Sequence, residues 1–301
     1  MIKSEKGLES NHVVKGMGSL LAAAMLLCGL SGCAALTVDA RDDADAFNLA
    51  TFNIRCVKSD DTGDRDWHAR LPRIVQVVRS RGFDVFGIQE ARLSQRDELL
   101  AALPDYALVG ENSTGGKNGE GVHILFATNR FTCVKADTFW LSETPRTPHT
   151  RSWDSRCTRI CTLAVLRDRR TGRTLRYYNT HLDHRSKLAR KEGMKVILSE
   201  IGACPPGDAV VLTGDLNSLN LADVLPADAP LKDSFVLSET PHEGPDNTLH
   251  CYRDEAIARV DYVLVSDGLR VLRHVTCDDR PDGKFPSDHD AVAVRLKFRQ
   301  P

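Results

Sequence analysis

The sequence predicts an α/β fold in which two mixed β-sheets pack face to face with helices outside. Two observations carry this. Apolar runs and amphipathic stretches alternate as strand, helix, strand in two separate places, and four further apolar runs supply strands outside those units. Sheets stacked on each other and covered by helices are a layer arrangement that accommodates this count. Roughly 270 residues beyond the N-terminal segment fit one large α/β unit, and no linker-like composition divides them.

Residues 1–33 stand apart from the fold. Lys3, Lys6 and Lys15 precede an apolar segment, residues 17 to 30, that is short for a bilayer span but the right length for the hydrophobic region of a secretory signal. It closes on Leu30-Ser31-Gly32-Cys33, which resembles the bacterial lipobox, where cleavage before the cysteine leaves that residue to carry a lipid. An ordinary signal peptide and an uncleaved anchor are the alternatives. The expectation is an exported, membrane-anchored lipoprotein of the cell envelope, lipidated at Cys33. Residues 34–46, rich in Ala and Asp, then form a short tether, and residues 47–301 the domain.

A formal net charge of -1 supplies no global cationic field, so a protein that coats nucleic acid is disfavoured and any polyanion contact must be local. Setting aside Cys28 and Cys33, the remaining cysteines are odd in number, so at least one thiol stays free if the others pair. Cys157 and Cys161 suggest half a zinc site, but no second pair stands at matching spacing, and buried core thiols are the favoured reading.

In chain order, residues 47 to 54 read as a strand ending at Asn53. Residues 68 to 81 place Leu71, Ile74, Val75 and Val78 at helical spacing before Gly82, and residues 85 to 90 form a buried strand. The pattern repeats with a strand over 175 to 182, a helix over 185 to 201 and a strand over 209 to 212. Further strands are expected over 122 to 127, 161 to 166, 260 to 265 and 291 to 298. The Gly-rich stretch 110 to 121 reads as a mobile loop beside a cleft, since no helix start follows it to cradle phosphate.

The residues that end these strands are polar in an unusual way. Asn53, Glu90, His181, Asp215 and Asn217 fall at or just past the carboxyl end of apolar runs, where open α/β sheets place ligands. Asp261 opens a strand, and Asp288 and His289 precede the last one. Solvated turns would mix in Gly, Ser and Lys. Gly214 is expected to let the chain turn sharply, so that Asp215 and Asn217 point to one side. Glu90 and Asp288 are hard oxygen ligands suited to Mg²⁺ or Mn²⁺. Asp261 can hold His289 in one tautomer, and Asp215 can activate a water that Asn217 helps to hold. The metal and His181 would then stabilise charge on a phosphoryl group.

Six motifs in order resemble the endonuclease/exonuclease/phosphatase superfamily: Thr51-Phe52-Asn53-Ile54-Arg55, Ile88-Gln89-Glu90, Asn179-Thr180-His181-Leu182-Asp183, Thr213-Gly214-Asp215-Leu216-Asn217, Val260-Asp261-Tyr262 and Ser287-Asp288-His289. The resemblance runs from about Phe47 to Phe298. It implies a four-layer, DNase I-like α/β sandwich and Mg²⁺-dependent hydrolysis of a phosphoester, as in nucleases, phosphodiesterases and phosphatases. It places Asn53 and Glu90 in the metal and phosphate shell, Asp215 with Asn217 as the water-activating pair, and Asp261 with His289 as the His-carboxylate pair. By the same resemblance His181 contacts phosphate and Asp288 lies near the metal.

Arg159 is a further candidate for phosphate, balanced by a structural role in a surface loop; the basic residues of 146 to 159 meet an anionic substrate or only solvate that loop. Two other functions compete. A phospholipase C-like hydrolase of lipid headgroups suits a membrane anchor but lacks an aromatic-tipped hydrophobic hairpin. A non-catalytic surface binding protein would be expected to have lost Asp215, Glu90 or His289, and all three are present. Arg259-Val260-Asp261-Tyr262 stands where the inositol phosphatase branch carries its own motif, which disfavours that branch.

Overall fold

The computed structural model describes residues 44 to 300. The lipobox and Cys33 lie outside the described residues, as does most of the proposed tether. Its last residues are held: the carbonyls of Asp45 and Ala46 accept from the Arg130 guanidinium at 2.7 and 3.1 Å. No described helix is long and apolar enough to cross a membrane.

The elements run β1 (Phe47–Asn53), α1 (Trp67–Arg81), β2 (Val85–Ala91), α2 (Leu93–Ala102), β3 (Tyr106–Val109), β4 (Gly121–Ala127), β5 (Phe131–Trp140), β6 (Ile160–Asp168), β7 (Thr174–His181), α3 (Lys187–Gly202), β8 (Ala209–Asp215), β9 (Leu231–Asp233), α4 (Ser234–Leu237), β10 (Asp261–Ser266), β11 (Leu269–Cys277) and β12 (Ala291–Phe298). They build two six-stranded sheets, ordered β11-β12-β1-β2-β4-β3 and β5-β6-β7-β8-β10-β9. Each strand-helix-strand unit contributes one parallel pair, β1 with β2 and β7 with β8, and antiparallel neighbours complete each sheet. Both sheets are therefore mixed, as the sequence predicts.

Side-chain alternation explains the layers. Along β1, Phe47 and Leu49 pack with Leu175, Tyr177, Val211 and Val263 between the sheets. Ala50 and Phe52 point the other way, onto Ile74, Val77 and Val78 of α1. On the second sheet Tyr178 and Leu212 meet Met194, Ile197 and Ile201 of α3. Strands covered on both faces read as continuous apolar runs for this reason. α1 starts at Asp66, whose carboxylate accepts from the His68 N–H, and stops at Gly82 in the left-handed conformation, φ 60.

The Gly110-to-Gly121 stretch folds back on itself. Asn112 accepts from the Gly115 N–H at 2.6 Å and donates to the Gly116 carbonyl at 2.9 Å, closing a turn beside β4. All seven cysteines among the described residues are free thiols; Cys161 is buried and Cys157 partly so.

Candidate active site

The inter-sheet face that carries Phe47, Leu49, Tyr177 and Val211 turns polar toward the carboxyl ends of β1, β2, β7 and β8. Period two puts Thr51 and Asn53, Asn179 and His181, and Thr213 and Asp215 on that face, and all six are buried. The inner layer is joined by hydrogen bonds between the sheets. The Gln89 amide donates to Thr51 Oγ1 and Asn179 Oδ1, the Thr213 hydroxyl donates to the same Asn179 oxygen, and the Asn179 amide donates to the carbonyls of Ile88 and His123. This network ties the two sheets together beneath the site, where an unmade bond would be costly.

Asp215 is the centre of the outer layer. Register places it directly beside His181 on parallel β7 and opposite Asp261 on antiparallel β10. Its Oδ2 accepts from the Asn53 amide at 3.1 Å and lies 3.4 Å from His181 Nε2 and 3.9 Å from His289 Nε2. Its Oδ1 accepts from the Asn217 N–H at 2.9 Å. The His289 Nδ1 sits 2.8 Å from Asp261 Oδ2, which also accepts from the Thr248 hydroxyl. Burial, and after it the charge of Asp261, pushes the Asp215 carboxyl up to about 7. Burial works against a charged His289, but Asp261 outweighs it and holds the imidazolium well above its usual range. Burial and the Arg159 charge push His181 the other way, so its ring stays neutral.

Glu90 reaches the site by a backbone irregularity. The register of β2 against β4 shifts between Ile88 and Ala91, and Glu90 adopts φ 66. Regular alternation would place it with Ile88 on the α1 face; the bulge re-aims it to the rim. There it accepts from the Asn53 amide at 3.1 Å and the Cys56 N–H at 3.0 Å. Burial alone would raise its pKa, yet the Cys56 N–H, the charge of His289 and the Asn53 amide hold it below the usual carboxylate range.

Gly214 does not make a turn. It lies inside β8 with φ 150, and a Cβ there would stand 2.0 Å from the Thr180 carbonyl oxygen of β7. The glycine lets β7 and β8 approach beside the Asp215 carboxylate; the sharp bend falls at Asn217, φ 48. The Asn217 side chain donates to the Leu182 carbonyl at 3.0 Å, and the residue lines the cleft.

Of the two other residues expected at the metal, Asn53 meets Glu90 directly, and Asp288 is engaged by an arginine. Asp288 is bound by the Arg55 guanidinium at 2.7 Å, and Arg55 is shared with Asp61 at 2.8 Å. The Asn53 amide oxygen accepts from the Arg55 N–H while its nitrogen bridges Glu90 and Asp215, so Asn53 acts as a spacer between carboxylates. The ligand atoms that do converge on Glu90 belong to Glu120 and Cys56, all within 4.8 Å of one another. Burial pushes the Cys56 thiol far up, which leaves two carboxylates as hard donors. A second such group joins Asp215, Asp261 and His289.

Arg159 is buried at the edge of this cleft, with Nη1 3.6 Å from Glu120 and Nη2 3.4 Å from His184 Nδ1, while its Nε has no hydrogen-bond partner. Lys58, His184 and Leu249 line the same cleft, whose volume is about 260 Å³. Sequence reasoning missed Glu120, Thr248 and the role of Arg55. A carboxylate immediately before the apolar run of β4 was the available signal for Glu120, and grouping it with the glycines hid it.

A buried carboxylate poised near neutrality, a His-carboxylate pair and a separate acidic pair at one rim of two packed sheets define a DNase I-like hydrolase of phosphoester bonds. The chain belongs to the Endonuclease/Exonuclease/phosphatase family, whose model matches residues 50–289. Among solved structures it is similar to an endonuclease/exonuclease/phosphatase family protein from Bacteroides thetaiotaomicron, at 30% identity and TM-score 0.77 over 85% of this chain and 98% of that one. It is equally similar to a mannosyl-6-phosphatase of the same organism, at 30% identity and TM-score 0.77 over 84% of this chain and 100% of that one. The fold alone is shared with D. rerio TDP2 in complex with a single-strand DNA product, at 16% identity and TM-score 0.67 over 85% and 100%. No curated protein matches the chain.

Proposed function

We propose that this protein is a divalent-metal-dependent phosphatase that hydrolyses a small phosphate monoester, with Asp215 as the base that activates water. The observation that carries the reading is the position of Asp215, where Asn53, His181 and His289 meet in a cleft of about 260 Å³. That volume suits a phosphoryl group and a compact leaving group. Leu249 is the one aliphatic side chain lining it among the described residues, which argues against a lipid substrate. The mannosyl-6-phosphatase likeness supports a phosphorylated sugar or similar polyol.

Asp215, with a pKa of about 7, is ionised in a useful fraction at neutral pH and can take the proton of a water attacking phosphorus in line. The Asn217 N–H and Asn53 amide hold its two oxygens, so the carboxylate is oriented before substrate arrives. His289, kept cationic by Asp261, presents Nε2 to charge that grows on the phosphoryl oxygens. Neutral His181 donates a hydrogen bond nearby, and Arg159 reaches the same group from the far edge. Glu90 and Glu120 would hold Mg²⁺ or Mn²⁺. Bound there, the cation supplies charge neutralisation at the phosphoryl group.

The sequence of residues 17 to 33 supports export and anchoring of this enzyme at a membrane through Cys33. A substrate panel with Mg²⁺, Mn²⁺ or EDTA tests the activity: p-nitrophenyl phosphate, sugar phosphates, bis(p-nitrophenyl) phosphate, single-stranded RNA, duplex DNA and sphingomyelin. Turnover of the monoesters, lost in EDTA, is expected. Turnover confined to diesters would replace the phosphatase reading by a nuclease or phosphodiesterase one.

A further inference from the structure

Beside the catalytic cleft lie two more hollows that the reaction leaves unused. The first shares Glu120 and Cys157 with the cleft and is also lined by Lys117, Arg151 and Arg156. The second shares Arg151 and Arg156 with the first and adds Arg185 and Trp153. The three adjoin in sequence, cleft to first hollow to second, through these shared residues, and are together called the trough.

Its cations are uncompensated. Some surface arginines, Arg79, Arg81, Arg176 and Arg273 among them, each carry a carboxylate. Lys117, Arg156 and Arg185 make no side-chain ion pair among the described residues, and the Arg151 guanidinium donates to the Arg156 carbonyl at 3.0 Å. Four cations converge where two carboxylates, Asp154 and Glu120, also line the walls, and Glu120 already faces Arg159. In a chain of net charge -1 this is a local excess of positive charge at the mouth of the active site.

The backbone that carries Arg156 and Arg185 is fixed from beneath. Asp183 Oδ2 accepts from the Ser155 hydroxyl at 2.9 Å and from the N–H groups of Arg156 and Cys157; its Oδ1 accepts from those of Arg185 and Ser186. Ser186 adds a bond from its hydroxyl to the Trp153 carbonyl at 2.8 Å. Arg156 and Arg185 thus spring from residues whose backbones grip one buried carboxylate, although 29 positions separate them in the chain. Burial would raise the pKa of Asp183, but these donors outweigh it and hold it well below the usual carboxylate range, so the knot persists at any physiological pH. Trp153 and Asp154 both adopt left-handed backbone, φ 57 and 54, a strained pair in the loop that carries Arg151 and Arg156.

We infer that this trough is a subsite for a second phosphate group on the substrate, held by Arg156 and Arg185 while the scissile phosphate lies at Asp215. The inference rests on the phosphatase reading and narrows it to substrates with two phosphates. Guanidinium groups fork onto phosphate oxygens, and the Asp183 knot keeps the backbones that carry these two side by side. The second phosphate can come from a small bisphosphorylated sugar or from the next unit of a short nucleic acid.

Binding is measured by calorimetry with Mg²⁺ in the Asp215→Asn background, where turnover is suppressed. The probes are fructose 6-phosphate, fructose 1,6-bisphosphate and a 5′-phosphorylated thymidine dinucleotide. A doubly anionic probe should bind at least ~10-fold more tightly than the monophosphate, and adding Arg156→Gln with Arg185→Gln should bring that ratio to within ~2-fold. Arg156→Lys with Arg185→Lys should keep part of it, which separates lost charge from a misfolded loop; Lys117→Gln, which leaves the Asp183 knot untouched, should also reduce it. An advantage for the sugar bisphosphate alone assigns the site to small molecules, and one for the dinucleotide alone assigns it to nucleic acid. Equal binding of all three, or an advantage that survives the glutamines, overturns the inference. Failure of the wild type to turn over p-nitrophenyl phosphate would count against the phosphatase reading and leave the binding ratio legible.

Discussion

Asp215 and Asp261 occupy directly paired positions on antiparallel β8 and β10, and His289 reaches toward both, 2.8 Å from Asp261 and 3.9 Å from Asp215. One histidine therefore stands between two buried carboxylates. Its positive charge lowers the Asp215 pKa against burial and Asp261, which both raise it, and the balance falls near neutrality.

Replacing the base should stop chemistry and spare binding. Asp215→Asn keeps volume and hydrogen-bonding capacity, so kcat on whichever monoester is turned over should fall by at least ~10²-fold, the usual worth of a positioned general base. Steady-state kinetics checks it. A loss that appears in KM with kcat preserved would make Asp215 a binding group.

The same substitution should stabilise the protein at high pH. The Asp215 carboxyl titrates near 3.8 when ordinary and at about 7 when folded, so between those values the folded state holds a proton that the unfolded chain has lost. Stability from this group is fully present below the lower value and is lost as pH rises to the upper one. Asn cannot ionise. In EDTA, Tm of Asp215→Asn minus Tm of wild type should grow from pH 4 to pH 7 and then level off; Asp290, whose carboxyl is also raised by burial, to about 6, is common to both proteins and cancels. A difference that does not change with pH would show that Asp215 is not strained by its burial.

Asp261 is expected to work through His289. His289→Ala should cost kcat about as much as Asp215→Asn, and Asp261→Ala should cost little more once His289 is gone. A double-mutant cycle measures the coupling. Fully additive losses would reduce Asp261 to a buried partner of Thr248.

For the metal, Glu90→Gln and Glu120→Gln should each weaken Mn²⁺ binding in a calorimetric titration, and extra metal should restore part of the activity of each. Asp288→Asn should leave metal affinity nearly unchanged, because its carboxylate belongs to Arg55. A larger effect at Asp288 than at Glu120 would move the cation to the other side of Asn53.

At the N-terminus, Cys33→Ser should abolish incorporation of labelled palmitate and leave the protein unprocessed or free of the membrane fraction. Equal labelling of the two forms would end the lipoprotein proposal and leave export standing.

How the site is legible follows from period and register. Asn53, His181 and Asp215 could be assigned to one rim from sequence because a strand's alternation is local: each lies an even number of residues from an apolar partner such as Leu49, Tyr177 or Val211. The helices over 67–81 and 187–202 were readable because their apolar residues recur on one face. α2 was not, since only Gln95 and Leu99 are buried and no apolar stripe marks it. Neither was β5, an edge strand with exposed Val134 and mixed polarity.

The amino-acid sequence by itself determined the two strand-helix-strand units, the apolar faces that pack them, and the polar residues that end those faces. The tertiary structure alone decided which of them touch. Glu90 faces the cleft through a bulge that strict alternation does not foresee, Gly214 is required by the Thr180 carbonyl of a neighbouring strand, and Gly87 by the Asn179 side chain of the opposite sheet. Arg55 pairs with Asp288 and Glu120 comes beside Glu90, across separations of 233 and 30 positions respectively. Periodicity reports which way a side chain points relative to its own backbone. What it meets depends on the register and stacking of other segments, which only the folded chain sets.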